Sequence, residues 1–167
     1  MSDVRLRDAT EADFNAIVAL NQAEEQHTSP MGVGRLRALH GLAWRHVVAD
    51  VDGQVAAFLL VMRDGAAYPN ANFDWFAARY TQFAYVDRIV VGADWQGLKL
   101  GSRLYEWLID AAREAGITRI ACEYNVVPAN EPSRRFHDRF RFREVGREWI
   151  DGRRKQVSMQ VLELHSP

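Results

Sequence analysis

Two carboxylates stand inside otherwise apolar runs: Asp87 in "FAYVDRIVV" and Glu123 in "ITRIACEYN". A carboxyl buried without a cationic partner holds its proton more tightly, and its pKa rises toward the range where it can serve as a general base. Each has a plainer reading: Asp87 pairs with Arg88 or another arginine, and Glu123 sits at a solvated edge. Between them lies "DWQGLKLGSRLYEWLIDAA", in which a turn carrying Gly97 and Gly101 runs into an amphipathic pattern. The first backbone N–H groups of a helix have no partner within it, and its dipole favours an anion there. Gln96, Lys99, Ser102 and Arg103 add donors and positive charge. A Walker loop needs a lysine straight after its second glycine, and the dinucleotide fingerprint needs three glycines; neither is present. These residues therefore leave two readings open: a phosphate cradle of another kind, or a strand-to-helix turn whose glycines serve packing.

Other nucleophile and metal chemistries find less support. Cys122 reads as a small apolar strand residue, with nothing beside it resembling an activating triad. His27, His40, His46 and His165 show no metal-ligand spacing and read as surface or packing residues, so no metal is expected.

The elements that must position these groups follow from periodicity. "VRLR" alternates like a half-buried strand. Thr10 with Asp13 forms a box-like helix start, and Phe14, Ile17, Val18 and Leu20 share about one face. A second helix is expected from about Arg35 to Arg45. "HVVADV" and "QVAAFLLVM" flank Asp52-Gly53, a hairpin signal, because both central residues of the favoured turn need positive φ. Residues 64 to 82 read as a long irregular segment. Its aromatic run, Tyr68 to Tyr85, fits a pocket wall, a dimer contact or plain packing onto the sheet. "FAYVDRIVV" is a strand, and strand alternation puts Asp87 and Ile89 on one face. The next helix starts between Gly97 and Gly101 and stops at Gly116. "ITRIACEY" is a strand, "NEPSRRFHDRF" a short helix opened by Asn130, and two last strands flank Asp151-Gly152. The order βααβββαβαββ predicts an α/β (α+β) domain over 1–167, with a mixed sheet and helices packed on it.

Composition bounds the partners. The chain has 167 residues, 48% of them hydrophobic and 26% charged, with a net charge of -1. That charge argues against a nucleic-acid partner. No apolar run is long enough to span a membrane, and "MSDVRLRDATEADF" lacks the apolar centre of a signal peptide. One cysteine excludes an internal disulfide framework and suits a reducing compartment, so a cytoplasmic location is expected.

Two blocks together resemble the GNAT-type N-acetyltransferase superfamily. Its phosphate loop, Gln/Arg-x-x-Gly-x-Gly/Ala, aligns with Gln96, Gly97, Leu98, Lys99, Leu100 and Gly101, with Lys99 in place of the middle glycine. Its later pattern aligns with "NEPSRRFHDRFRF", where Asn130, Ser133, Phe136 and Phe142 fall in register. His137 takes the slot of a common tyrosine, and Arg141 that of a glycine. "PANEPSRRFH" is also similar to a bacterial subgroup of predicted acetyltransferases.

The resemblance implies acetyl-CoA as cosubstrate and a mostly antiparallel twisted sheet, splayed between its parallel fourth and fifth strands. It implies direct acetyl transfer to a primary amine of a small molecule or peptide in a ternary complex, and it admits a homodimer. The backbone of Ile89, Val90 and Val91 would meet the pantetheine arm, and the loop from Gln96 to Ser102 the pyrophosphate. Asn130, Ser133 and Phe136 would line the same cleft. His137 would be the acid for the leaving thiolate, with Asp87 and Glu123 competing as base. Arginines 134, 135, 139, 141 and 143 would either meet the 3′-phosphate or form a solvated face. The alternative is a non-catalytic acyl-CoA-binding sensor on the same fold.

Overall fold

Asp52 and Gly53 adopt φ of 51° and 90°, as their types predict. They join strands β2 (Arg45–Val51) and β3 (Gln54–Arg63) through a two-residue turn. The computed structural model describes residues 2–25 and 27–164; the expectation for His165 lies outside the described residues. The remaining elements, in chain order, are β1 (Val4–Asp8), α1 (Phe14–Ala23), α2 (Val33–Leu42), α3 (Ala71–Ala77), β4 (Phe83–Val91), α4 (Leu100–Glu114), β5 (Arg119–Val127), α5 (Glu131–Arg139), β6 (Arg143–Ile150) and β7 (Lys155–Glu163). Single 3₁₀ stretches at Glu11–Asp13 and Ala93–Leu98 precede α1 and α4. The strands form one mixed sheet in the order β1-β2-β3-β4-β5-β7-β6, in which only β4 and β5 run parallel.

Two elements differ from the sequence-based expectation, the second helix and the segment 64–82. The second helix ends at Leu42, because Ala43 turns extended and Trp44 N–H joins Val61 O at 2.9 Å. The helix α4 begins at Leu100, inside the expected Gly97 to Gly101 range, with Lys99 in a left-handed conformation (φ 56°, ψ 39°) ahead of it. The segment 64–82 contains α3, capped by Asn70, whose side chain accepts from Phe73 N–H at 2.9 Å. Two turns of helix are too short to show a 3.6-residue period. The aromatics of this region resolve to packing: Tyr68, Phe73, Phe76, Phe83 and Tyr85 are all buried in one core.

That core lies between the sheet and α1–α3, where Phe14, Ile17, Leu36, Leu39 and Phe76 meet Phe58, Leu60 and Met62. A second core lies on the opposite face, where Leu100, Leu104, Leu108 and Ala112 of α4 meet Val47, Leu59, Val61 and Ile120. Each of the larger of these side chains (Phe, Leu, Ile, Val, Met) contributes about 1.5–3 kcal/mol on burial. Helices thus cover both faces, and the seam between β4 and β5 is the place where the sheet opens.

The opening is visible in the pairing. β4 meets β5 only over Phe83–Tyr85 and Arg119–Ala121. Beyond that point β4 stays with β3 and β5 with β7. The facing edges from Val86 and from Cys122 onward have no strand partner. A second irregularity sits at the same level. Leu60 pairs with Arg88 but Val61 with Val86, so Asp87 is an extra residue, a β-bulge. The bulge reverses the alternation. Phe83, Tyr85 and Val90 face the α1–α3 core, while Ala84, Val86, Ile89 and Val91 face α4. Asp87 and Ile89 therefore do not share a face, contrary to the simple period-2 expectation.

Candidate active site

The parted strands bound a cleft of about 680 Å³ that reaches from β4 and β5 to the start of α4 and one side of α5. Along β4, Val90 is buried, whereas Ile89 and Val91 remain half-buried, and all three line the cleft. The hydrogen-bonding edge that β4 turns toward β5 has no strand to satisfy it, so it is available to an extended ligand.

At the head of the cleft the first bond across α4 runs from Arg103 N–H to Lys99 O at 3.1 Å. The N–H groups of Leu100, Gly101 and Ser102 therefore precede the helix's own ladder, the arrangement that suits an anion. Gly101 is closely confined: a Cβ there would come within 3.3 Å of the Phe136 ring, which would have to yield by a few tenths of an ångström. Nothing lies within 4 Å of the corresponding position on Gly97. Gln96 donates to Val91 O at 3.1 Å and so ties the loop to the end of β4. Leu98 and Leu100 pack into the α4 core, and Leu100 also borders the cleft. Lys99 stands at the cleft in a left-handed conformation that costs a non-glycine residue about 1–2 kcal/mol.

From α5 the cleft receives Asn130, Ser133 and Phe136. Asn130 is the helix cap, its side chain accepting from Ser133 N–H at 3.3 Å. Phe136 packs on Tyr105 with ring centroids 4.9 Å apart. The arginines divide. Arg134 pairs with Glu131 and Asp138 on the surface and Arg143 with Glu163, whereas Arg135 and Arg139 line the cleft. Arg141, in the slot where the resemblance expects glycine, also has positive φ (68°).

His137 is placed differently from the expected acid. It is 4% exposed, and its Nδ1 lies 2.8 Å from the Ser133 carbonyl, which can only accept. Nδ1 therefore carries the proton, and Nε2 accepts from the Tyr105 hydroxyl at 2.8 Å. Burial pushes the His137 pKa down to about 4. A neutral imidazole whose one N–H is already spent on a carbonyl is not an imidazolium acid at neutral pH. It orients Tyr105, a cleft residue only 1% exposed, whose hydroxyl burial holds in its protonated form.

The two carboxylates also separate. Asp87 receives Arg88 Nε at 2.8 Å and the Tyr68 hydroxyl, and its side chain is 4% exposed. Arg88 is in turn held by Asn21 Oδ1, Ser29 O and Ser29 Oγ. Among the described residues Glu123 has no cationic partner. Tyr85 donates to both its oxygens at 2.8 and 2.9 Å, and Asn72 Nδ2 donates to Oε1 at 2.9 Å. Burial pushes its carboxyl up to about 7; the Tyr85 bond pulls it down, and the charge of Asp87 adds to the rise.

Tyr105, Tyr85 and Asn72 are site residues that sequence reasoning misses. Tyr105 leaves a faint signal, a hydroxyl-bearing aromatic on the apolar face of α4; Asn72 leaves none. Among the described residues no group of His, Cys, Asp and Glu could hold a metal ion. His40 and His46 face each other through Nδ1 atoms 2.8 Å apart in the α1–α2 packing, and His27 lies at the cleft. No helix among the described residues is long and apolar enough to cross a membrane.

Comparison with known proteins bears on this geometry. A search of curated proteins by sequence returns no significant match. Solved structures are similar in fold over nearly the whole chain. Ard1 from Thermoplasma volcanium has a TM-score of 0.80 at 15% identity, covering 98% of this chain and 99% of its own. The ribosomal-protein-S18-alanine N-acetyltransferase from Escherichia coli has 0.75 at 16%, covering 99% and 96%. The yncA protein from Salmonella typhimurium, solved with its cofactor acetyl-CoA, has 0.74 at 20%, covering 99% and 96%. At these identities the likeness speaks for the fold. The family model described as "Acetyltransferase (GNAT) family" matches residues 9–142, and with the splayed sheet and the free N–H groups that open α4 it leads to one conclusion: the chain belongs to the GNAT family of acetyltransferases.

Proposed function

We propose that this chain transfers an acetyl group from acetyl-CoA to a primary amine of a small molecule or protein, by direct attack in a ternary complex. The observation that carries the reading is the position of Glu123 beside the parted strands. It is a cleft carboxylate without a cation, its pKa raised to about 7, on the strand facing the open β4 backbone. A pantetheine arm laid against Ile89, Val90 and Val91 would place its pyrophosphate at Leu100, Gly101 and Ser102. Arg135 and Arg139 stand at the same cleft as the cations for a further phosphate. Acetyl-CoA supplies the activated carbonyl. The amine nitrogen bonds to that carbon, its proton passes to Glu123, and the C–S bond breaks with the thiolate leaving toward solvent, where it is protonated. The buried free thiol of Cys122 suits a reducing compartment, and we place the protein in the cytoplasm.

The test is thiol release from acetyl-CoA across a mixed panel of small amines and peptide N-termini. Release that requires an amine and is lost in Glu123→Gln supports the reading. Saturable acetyl-CoA binding with no release on any amine would favour the sensor alternative.

A further inference from the structure

Glu123 receives two neutral donors from distant parts of the chain, Tyr85 from β4 and Asn72 from the first turn of α3. Their distribution is unequal. Oε1 accepts from both Asn72 and Tyr85, while Oε2 accepts from Tyr85 alone. The single Tyr85 proton is shared between the two oxygens, so the Asn72 bond makes Oε1 the more fully engaged and leaves Oε2 the greater acceptor capacity.

The segment that delivers Asn72 is built to hold it. Every second residue of its approach binds at the site: Tyr68 donates to Asp87, Asn70 donates to Tyr68 Oη at 3.2 Å and caps α3, and Asn72 donates to Glu123. Downstream, Phe73 and Phe76 lock α3 into the core. Trp75 reaches the edge strand β6, where its Nε1 donates to Glu148 at 2.8 Å and its ring fills the space above Gly146. A Cβ on Gly146 would lie 2.5 Å from that ring. The Arg79 guanidinium stacks over the ring, 3.8 Å from its centroid. α3 is therefore clamped at both ends of its short length, with Asn72 between the clamps.

We infer that Asn72 is a positioning residue for the acetyl-transfer base. It anchors Oε1 of Glu123 and thereby directs Oε2 at the incoming amine. This rests on the reading of Glu123 as the base. The Asn72 bond is made to the charged carboxylate, so it opposes the rise that burial and Asp87 impose. The other groups facing Glu123 are Tyr85 and Asp87 of β4, with Asp87 paired to Arg88, and Cys122 and Tyr105 on the α4 side. None of them is hydrogen-bonded to Asn72.

The test follows the Glu123 carboxyl itself. Glutamate carboxyl carbons are labelled with ¹³C, the Glu123 resonance is assigned by its loss in Glu123→Gln, and pH is titrated in the wild type, Asn72→Ala and Asn72→Asp. The expected result is titration near pH 7 in the wild type, a midpoint higher by about one unit in Asn72→Ala, and a larger rise in Asn72→Asp, which adds a like charge. On the best amine of the panel, the acidic limb of kcat/KM moves by the same amount. A unmoved Glu123 midpoint in both variants, or a uniform drop in rate with the limb in place, would overturn the proposal. If the wild-type resonance titrates with the ordinary carboxylates, the reading of Glu123 as base fails, separately from the role of Asn72.

Discussion

Asp87 and Glu123 stand on neighbouring strands at the level where those strands part, and their surroundings differ in kind. Asp87 is closed off by a guanidinium and a tyrosine, with the guanidinium held from behind by Asn21 and Ser29. Among the described residues Glu123 meets a phenol and an amide and no cation, and its Oε2 keeps the greater acceptor capacity. A buried charge with its counter-ion is a structural joint, whereas a buried acid with only neutral donors is a reservoir for a proton. Burial alone does not separate the two. The nearest cation does.

The comparison can be broken most directly at Glu123. Glu123→Gln keeps the volume and one acceptor and removes the base; the amine-dependent rate should fall by about 10²–10⁴-fold. In the wild type kcat/KM should rise through pH 7, because the carboxylate must be free of its proton, and that limb should vanish in the variant. Asp87→Ala should behave in the opposite sense. It strands Arg88 in the core and should cost about 3–5 kcal/mol of stability in a denaturant melt. Equal effects of the two variants on both measurements would dissolve the distinction.

A third measurement sharpens it. The Glu123 pKa is raised on folding, so the folded state binds the extra proton between about 4.5 and 7. Stability attributable to this group is full below about 4.5 and falls as pH rises toward 7. Glu123→Gln should therefore gain on the wild type across that window, by at most about 3 kcal/mol above it, while losing activity. His137→Phe leaves the Tyr105 hydroxyl without its acceptor and should cost about 1–3 kcal/mol. The position of the pH 7 limb should not change, since a neutral imidazole does not set it.

Much of the fold is written locally. Asp52-Gly53 and the start of α1 at Thr10 and Asp13 each place their signal within a few residues; Thr10 N–H donates to Asp13 Oδ2 at 2.8 Å. Gly116, with φ of 74°, ends α4 as its type predicts. What is not written locally is pairing. The bulge at Asp87 is a property of β4 against β3 and leaves no mark in "YVDRIVV". Glu123 is a visible candidate as an acid in an apolar strand, yet its partners lie 38 and 51 residues away. His137 is visible as a position, but its tautomer is not, because a carbonyl one helical turn back decides it.

The smallest expected effect lies at the mouth of the cleft. Lys99 and Arg141 both occupy left-handed backbone where the resemblance expects glycine. Lys99→Gly relieves that conformation and should raise stability by about 1 kcal/mol, net of the freedom glycine gains when unfolded. If its ammonium group clamps the pyrophosphate, coenzyme A binding weakens in the same variant. Unchanged or tighter binding would leave the lysine as strain alone.

The bulge at Asp87 has a counterpart in signal theory: it is a phase slip. Residues before it and after it obey the same two-beat rhythm, offset by one beat, so a single strand addresses one core with Tyr85 and then the same core with Val90. Excising that one residue would not shorten β4 so much as invert its first half. Phe83 and Tyr85 would be sent to the α4 side, Ala84 and Val86 to the other, and the phenol that holds Glu123 would leave with them.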